Sequence, residues 1–127
     1  MPIFNEGAIS KIIGYITGKS DKKSKDLLFK IHENLTRSSS PNTTPRDTGF
    51  AVNNWLASAD KPRTDTTEGP GESSNSVLRV AGSIEMNKKL YLANNVQYIS
   101  ALNNGHSQQQ PVPGWVERAL KEAKKDV

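Results

Sequence analysis

The sequence has no cysteine, which excludes disulfide bonds and thiolate metal ligands and leaves the redox compartment open. No apolar run approaches the roughly 18 residues that a membrane-spanning helix requires. Residues 1–18 contain the acidic Glu6 and lack the cationic start of a signal peptide. The default expectation is therefore a cytoplasmic protein that has no membrane partner.

Apolar residues are also scarce. Their share is 34%, against an average of about 45–50% that also counts glycine. With 127 residues the chain is expected to form one small domain with a modest core. The shortfall indicates long polar loops, or surfaces that neighbouring subunits cover. A formal net charge of +4 is compatible with contacts to nucleic acid or acidic proteins but requires neither.

The motifs of common enzyme classes are missing. There is no G-x-x-x-x-G-K-[ST] and no G-x-G-x-x-G, so nucleotide binding has no support. The two histidines, His32 and His106, have no further ligands at the spacings of a zinc site. No G-x-S-x-G elbow surrounds His106 and Ser107. The sequence therefore predicts no catalytic residue, no cofactor and no metal.

One tripeptide does resemble a catalytic motif. Asp47-Thr48-Gly49 has the form of the aspartate loop of retroviral-type proteases. In those enzymes an apolar strand precedes the loop, and burial raises one pKa of a carboxylate pair. Here the preceding residues are polar and end in Arg46, which favours the ionised aspartate. The preferred interpretation is a turn in which Pro45 fixes the backbone, Asp47 bonds nearby amides and Gly49 begins a strand.

The spacing of apolar residues predicts an α+β fold, a small single domain with an antiparallel or mixed sheet packed by helices and with extended loops. The predicted elements in chain order are a helix at 21–35, a strand at 50–57, a helix at 76–88, a strand at 89–95 and a helix at 115–125. Their apolar stripes are Leu27, Leu28, Ile31 and Leu35 in the first helix, Val77, Leu78, Ala81 and Ile84 in the second, and Val116, Ala119, Leu120 and Ala123 in the last.

Two segments are predicted to lie outside this regular structure. Residues 1–19 contain isoleucines at helical spacing (9, 12, 13 and 16) that three glycines weaken, so we expect a short helix or an arm that docks only in an assembly. Residues 59–76 contain two prolines, two glycines and mixed charge and predict a long mobile loop. Residues 20–127 are then the main domain.

Two widely separated segments resemble one protein family. The segment "TPRDTGFAVNNW" resembles the T-P-x-D-T-G signature of small tail-completion (neck) proteins of tailed bacteriophages, which a tryptophan follows. The matching residues are Thr44, Pro45, Asp47, Thr48, Gly49 and Trp55. The segment "LYLANNVQYISALNNGHSQQQP" is similar to the second signature of that family. Its matching residues are Asn94, Asn95, Tyr98, Leu102, Gly105, Ser107, Gln109 and Pro111. Gly114, Trp115 and Val116 resemble the step that opens the last helix of the family.

The resemblance covers residues 20–127 and has two departures. Asn103 stands where many relatives carry a glutamate, and "QPVPGW" is one residue longer than the usual turn. The second segment has the character of a docking element, because Gly105 permits a turn with positive φ and the residues that follow offer many hydrogen-bonding groups. Tyr98 and Trp115 serve either this interface or internal packing.

The resemblance implies a structural virion protein that is not an enzyme. Copies would form a homo-oligomeric ring, a hexamer, that completes the tail at the neck of the virion. Its partners would be the portal or adaptor protein on the head side and the tail tube or terminator protein on the tail side, with non-specific DNA in the channel. A tail terminator or a head–tail adaptor is an alternative role in the same machine.

An alternative of another class is a small basic DNA-binding accessory protein. Lysines at 19, 22, 23 and 25 and again at 121, 124 and 125 form two basic clusters. Such clusters are usually solvated helix faces, but they would also suit contacts with DNA phosphates that are independent of base sequence. No aromatic residues alternate with these lysines, so stacking on single strands is not indicated.

Overall fold

The computed structural model of the protein describes residues 3–4, 12–17, 21–46, 49–59, 61, 63–82, 89–105 and 107–126. Its strands and helices follow in chain order as β1 (Ile3–Phe4), β2 (Ile12–Thr17), α1 (Asp21–Thr36), β3 (Leu56–Ala59), α2 (Glu72–Gly82), β4 (Lys89–Asn94), α3 (Ile99–Asn103) and α4 (Trp115–Asp126). A 3-10 turn, Val52–Asn54, precedes β3. The predicted α+β class is confirmed, with one small domain and extended loops between its elements.

The strands of the described residues form a sheet in the order β1-β2-β4-β3, and all neighbouring strands are antiparallel. β4 is an inner strand. Its residue Leu92 lies opposite Gly14 of β2 on one side and Ala57 of β3 on the other. Leu90 and Leu92 are both buried, as their alternation along the strand predicted. The antiparallel alternative of the predicted sheet is therefore the observed one.

The prediction of a short helix or a detached arm in residues 1–19 is wrong for Ile12–Thr17. This segment is β2, and all six of its residues pair with β4. β-branched isoleucines favour extended backbone, and Gly14 disfavours a helix, so pairing with an inner strand prevails over the helical spacing. β2 thus belongs to the sheet of the domain. The remainder of residues 1–19, apart from β1, lies outside the described residues.

The predicted strand at 50–57 is shorter than expected. The backbone first makes the 3-10 turn, in which Asn54 N donates to Ala51 O over 3.1 Å, and β3 begins only at Leu56. The asparagines explain the difference. The side chain of Asn54 donates to Phe50 O and Thr67 O, which holds the backbone in a turn rather than a ladder. Alternation of apolar residues could not reveal this turn.

Two corrections concern α2. It begins at Glu72, so residues 72–76 are helical and the long loop is shorter than the predicted 59–76. Leu78 is 61% exposed, whereas the predicted stripe placed it in the core. The side of α2 that is buried contains Ser73, Ser76, Val77 and Val80. Serine was not counted as an inward-facing residue in the sequence pattern, so the predicted face of the helix was rotated.

The first and last helices pack against each other, and α1 also contacts β4. The buried apolar residues of α1 that are described are Leu28, Ile31 and Leu35, and those of α4 include Val116, Ala119 and Ala123, as predicted from their stripes. Leu27 and Leu120 are half-buried against this core. Asn34 Nδ2 donates to Ala119 O over 3.0 Å and joins the two helices directly. The stripes of α1 and α4 are confirmed.

Candidate functional site

Thr44 and Trp55, two residues of the first family-like segment, are bonded to each other. Trp55 Nε1 donates to Thr44 Oγ1 over 2.7 Å, and both side chains are fully buried. Thr44 Oγ1 donates in turn to Leu35 O over 2.6 Å, and the Thr44 amide donates to the same carbonyl over 2.9 Å. Leu35 lies in the last turn of α1, where carbonyls have no partner within the helix. Thr44 therefore caps α1 and fixes the indole of Trp55.

Pro45 and Gly49 of the first segment are also among the described residues. Pro45 is buried, and Gly49 has a φ of 81°, a conformation that glycine adopts without strain. Asp47 and Thr48 lie outside the described residues, so the interpretation of Asp47 as a turn aspartate stays a prediction. The observed φ of Gly49 fits a turn at this point of the chain.

Asparagine side chains next to the strands form hydrogen bonds with the backbone of the loops. Asn94 is fully buried at the end of β4; its Nδ2 donates to Ala51 O over 2.9 Å and its Oδ1 accepts from Val96 N over 3.1 Å. Asn95 Nδ2 donates to Arg63 O over 2.8 Å. Asn53 Nδ2 donates to Gly69 O over 2.8 Å. Asn94 and Asn95 thus position backbone within the chain, and sequence analysis missed the similar contribution of Asn53.

The second segment makes a tight corner between α3 and α4. Gly105 has a φ of 88°, and a Cβ atom there would lie 2.5 Å from Pro111 O. Trp115 is fully buried and donates from Nε1 to Leu102 O over 2.8 Å. Tyr98, in contrast, is 46% exposed. Of the two aromatic residues that served either an interface or packing, Trp115 is used in packing and Tyr98 remains available at the surface.

The side chain of Asn103 caps the N-terminus of α4, although Asn103 itself lies in α3. Its Oδ1 accepts from Val116 N over 3.0 Å, so it satisfies an amide in the first turn of α4. Its Nδ2 lies 3.0 and 3.2 Å from the two carboxylate oxygens of Glu117. A glutamate at position 103, as in the resembling family, would meet the carboxylate of Glu117. Asparagine at this position therefore matches the particular first turn of this chain.

The two family-like segments meet in space. Gln109 Oε1 accepts from Arg46 N over 2.6 Å, and Gln110 Nε2 donates to Pro41 O over 2.8 Å and to Thr43 O over 3.1 Å. These bonds connect positions more than sixty residues apart in the chain. The glutamines, which were predicted to serve an interface with other molecules, therefore also fasten the protein internally. Ser107 Oγ accepts from Gln109 N over 3.1 Å and shapes the same loop.

We call the place where residues 41–46 contact residues 109–113 and Arg118 the junction. Arg118 forms three hydrogen bonds there. Its Nε donates to Asn42 Oδ1 over 2.9 Å, and its Nη1 and Nη2 donate to Pro113 O over 2.7 Å and Val112 O over 3.3 Å. One guanidinium thus joins the residue pair that follows the second segment to Asn42, which precedes the first, with several donors in a fixed planar arrangement. Sequence analysis missed Arg118 because it read α4 only through its apolar stripe and its lysines. Pro111, which precedes these residues, is exposed.

The structure also brings together a histidine and a serine that the sequence did not pair. His32 Nε2 lies 2.8 Å from Ser73 Oγ, and both residues are buried. The hydroxyl of Ser73 donates to Trp55 O over 2.7 Å, so the ring nitrogen is assigned as the donor to Ser73. Burial lowers the pKa of His32 to about 4, and the ring is neutral at pH 7. Since the hydroxyl proton of Ser73 is given to a carbonyl, this pair is arranged for stability and not for nucleophilic attack.

The same region closes the outer edge of β3. Ser76 Oγ accepts from Ala57 N over 2.9 Å, and Ser73 Oγ serves Trp55 O, both of them backbone groups on the side of the strand away from β4. Ser76 Oγ also donates to Ser73 O over 2.7 Å. Side chains of α2 therefore take the place that a neighbouring strand would occupy.

Ion pairs surround the loop before α2. Arg63 binds Asp65 through two contacts of 2.7 Å, and Arg79 binds Glu72 at 2.7 Å. The hydrogen bond from Arg63 lowers the pKa of Asp65, and the one from Arg79 lowers the pKa of Glu72. A further contact of 3.8 Å connects Arg63 to Glu72. These charges fasten the loop to the start of α2.

Among the described residues, no group of three or more His, Asp or Glu side chains is arranged to hold a metal ion. None of the helices described is both long and apolar enough to cross a lipid bilayer. A shallow depression of about 170 Å³ lies beside the junction and is lined by Asn34, Ser40, Pro41, Asn42 and Glu122. His106, the other histidine considered for chemistry, lies outside the described residues.

Comparisons with protein-family models, with curated protein sequences and with solved structures found no match. The side chains of the junction donate to and accept from backbone groups, and they hold a corner of the molecule in one conformation. Such an arrangement can present a defined surface to another molecule.

Proposed function

We propose that the chain is a structural protein of a tailed bacteriophage virion, acting in tail completion at the neck. The observation that supports this most is the junction. Gln109, a motif residue of the second segment, accepts from the backbone amide of Arg46 in the first segment and so joins the two. Thr44 and Trp55, two motif residues of the first segment, are bonded to each other. A chance resemblance of two short segments gives no reason for them to meet in the fold.

In this proposal the copies form a ring, a hexamer, after DNA packaging in the host cytoplasm. The ring lies between the portal or adaptor of the filled head and the tube or terminator of the tail. Cyclic symmetry requires head-to-tail contacts between different surfaces of neighbouring copies. Four large apolar side chains of the described residues are exposed and are available for such contacts: Phe29, Leu78, Tyr98 and Val112.

The channel of the ring would contain DNA, and we expect mild basicity along it without base recognition. Lys121, Lys124 and Lys125 are exposed on α4, and the nitrogen of Lys125 lies 3.8 Å from Glu122. Lys25 of the other predicted cluster is half-buried. Exposed lysines of this kind suit non-specific phosphate contacts that weaken as salt increases.

The proposal treats the chain as a protein without catalytic activity. Ser73 and His32, a described hydroxyl and imidazole that lie in contact, are both buried, and the hydroxyl proton of Ser73 is donated to Trp55 O. Asp47 is the residue on which a protease would depend, and we propose that it stabilises a turn. An Asp47→Ala variant should lose about 1 kcal/mol of stability through its local bonds, with no peptide-cleaving activity in either form.

The proposal is tested by deleting the gene and imaging particles by electron microscopy. The expected result is filled heads and separate tails, with joining restored by a plasmid copy. Joined particles in the absence of the protein would reject the neck role. The DNA-binding alternative predicts instead a tight, salt-sensitive affinity of the isolated monomer for DNA, and a tail terminator would give tails of abnormal length.

A further inference from the structure

Asn104 has a neighbour that makes its side chain chemically labile. It is followed by Gly105, and this is the only Asn-Gly pair in the sequence. Glycine has no side chain to shield its backbone nitrogen, so that nitrogen can approach the side chain of the preceding residue. The side chain of Asn104 is exposed, whereas that of Asn103 beside it is buried and bonded to Glu117. Water and hydroxide therefore have access to Asn104.

Asparagine is among the thermally labile residues, and before glycine it loses its amide in a reaction within the chain. The Gly105 nitrogen gives its proton to hydroxide and attacks Asn104 Cγ, which forms a new C–N bond. The bond from Cγ to the side-chain nitrogen breaks, and ammonia leaves with a proton taken from water. Water then opens the resulting succinimide ring at one of its two carbonyls. The product is aspartate or isoaspartate, and overall one water is consumed and one ammonia is released.

The folded corner does not permit this ring closure. Asn104 has a ψ of 11°, so the Gly105 nitrogen nearly eclipses the backbone nitrogen of Asn104 and lies away from its Cβ. A five-membered ring needs the Gly105 nitrogen and the Cβ on the same side of the Cα–C bond. The Gly105 amide also donates its proton to Leu102 O over 3.1 Å. The reaction therefore requires that this bond breaks and that the backbone of Asn104 rotates.

Other bonds keep the corner closed. Leu102 O also accepts from Trp115 Nε1 over 2.8 Å, and the Gly114 amide donates to Asn103 O over 2.8 Å. Parts of a folded protein open locally with free energies between zero and that of global unfolding. The rate of the reaction in the folded chain is then the rate in the unfolded chain multiplied by the fraction of time for which the corner is open.

We propose that Asn104 is a site of spontaneous deamidation whose rate is set by local opening of the corner at Gly105. Isoaspartate inserts a methylene into the backbone between the two residues. A Cβ added at Gly105 would already lie 2.5 Å from Pro111 O, so the closed corner has no room for the displaced backbone. The isoaspartate form is therefore less stable than the unmodified chain. This inference goes beyond the neck role and does not depend on it.

The test compares the full chain in its folded state with the same chain unfolded in guanidinium chloride, both in mildly alkaline buffer. Peptide mapping by mass spectrometry locates the deamidated residue, and a protein isoaspartyl methyltransferase measures isoaspartate. Asn104→Gln is the negative control, because a longer side chain would have to close a six-membered ring. Trp115→Phe removes the indole bond to Leu102 O and keeps the Asn-Gly pair. Trp55→Phe is its matched control, because it removes an equally buried indole bond, to Thr44, outside the corner.

We expect deamidation of Asn104 to be at least about tenfold faster in the unfolded chain, because the folded corner is open for a small fraction of the time. Trp115→Phe should accelerate the reaction of the folded chain by at least about threefold more than Trp55→Phe does. The protection of the Gly105 amide against hydrogen exchange in the unmodified chain should match the ratio of the two deamidation rates within about threefold, and this measurement needs no variant.

The product gives a separate measurement. The isoaspartate form, isolated by ion exchange, should unfold at a lower denaturant concentration than Asn104→Asp, which has the new charge without the added methylene.

Each result has a counterpart that would overturn part of the proposal. Absence of the reaction at Asn104 in the unfolded chain would remove the site. Equal rates in the folded and unfolded chains, equal acceleration by the two tryptophan variants, or a rate ratio far above the protection of the Gly105 amide would exclude control by local opening. An isoaspartate form as stable as Asn104→Asp would show that the corner accommodates the product.

Discussion

Replacing Thr44 by valine should reveal how strongly the first family-like segment stabilises the fold. Valine keeps the shape of threonine and removes only the hydroxyl, which accepts from Trp55 Nε1 over 2.7 Å and donates to Leu35 O over 2.6 Å. Trp55 Nε1 is then left as a buried donor without a partner, at a cost of about 1–3 kcal/mol. Leu35 O retains the bond from the Thr44 amide, so its loss is smaller.

The expected decrease in the free energy of unfolding is about 2–3 kcal/mol, which is a large fraction of the roughly 5–15 kcal/mol of a typical domain. It corresponds to a fall in Tm on the order of 10 °C for a chain of this size. Urea unfolding followed by far-UV circular dichroism measures it without depending on tryptophan fluorescence. The protein should remain folded, because the hydrophobic core that contains Trp55 and Leu35 is unchanged.

Thr43→Val is the matched control. Its hydroxyl lies at 3.4 Å from Leu35 O and its side chain is half-buried, so the expected loss is below about 0.5 kcal/mol. A double-mutant cycle with Trp55→Phe isolates the bond, since Thr44→Val should cost at least about 1 kcal/mol less when the indole nitrogen is already absent. A loss for Thr44→Val below about 0.5 kcal/mol, or an equal loss in both backgrounds, would refute the reasoning.

Three further predictions concern the corner, the buried imidazole and the start of α4. Gly105→Ala should destabilise by about 2 kcal/mol or more in urea unfolding, from its positive φ and the contact with Pro111 O, whereas Gly82→Ala, which meets no atom, should stabilise by about 0.5–1 kcal/mol. The pKa of His32 in the folded chain, about 4 against 6.5, means that the unfolded chain binds the extra proton first, so stability should fall by about 3 kcal/mol as pH drops from 6.5 to 4. Asn103→Glu should lose about 1–2 kcal/mol through repulsion from Glu117 and loss of the cap, and Glu117→Gln should restore part of it.

Each of these has an outcome that would count against it. A Gly105→Ala protein as stable as the parent would mean that the backbone at Gly105 and Pro111 shifts at little cost in free energy. His32→Gln should flatten stability between pH 6.5 and 4, and an unchanged slope would assign it to other groups. If Glu117→Gln brings no recovery in the Asn103→Glu background, the carboxylates do not interact.

The apolar stripes were the part of the fold that sequence predicted best. In α1 and α4 most of the buried residues are aliphatic and recur at helical spacing, so their burial follows from the period. β2 was mistaken for a helix because its isoleucines satisfy both spacings, and only the partner strand decides between them. The buried face of α2 was predicted incorrectly because two of its inward-facing residues are serines. Their partners lie on or directly before β3, at positions that the local sequence does not reveal.

The sequence singled out some of the residues that meet in the candidate site but not the bonds between them. Thr44, Trp55, Asn94 and Gln109 were identified by resemblance, and the structure gives each a bonded partner. Arg118 could have been found only by knowing that α4 begins beside the loop that precedes the first segment. Bonds between positions this far apart in the chain depend on the completed fold, and no local pattern encodes them.

The serines of α2 affect whether copies of the protein can pair through the edge of the sheet. A sheet whose last strand offers free amides and carbonyls can pair with the same strand of another molecule and grow into fibrils. Ser73 and Ser76 occupy those groups at Trp55 and Ala57. We therefore expect that β3 does not pair with the same strand of another copy, even at high protein concentration.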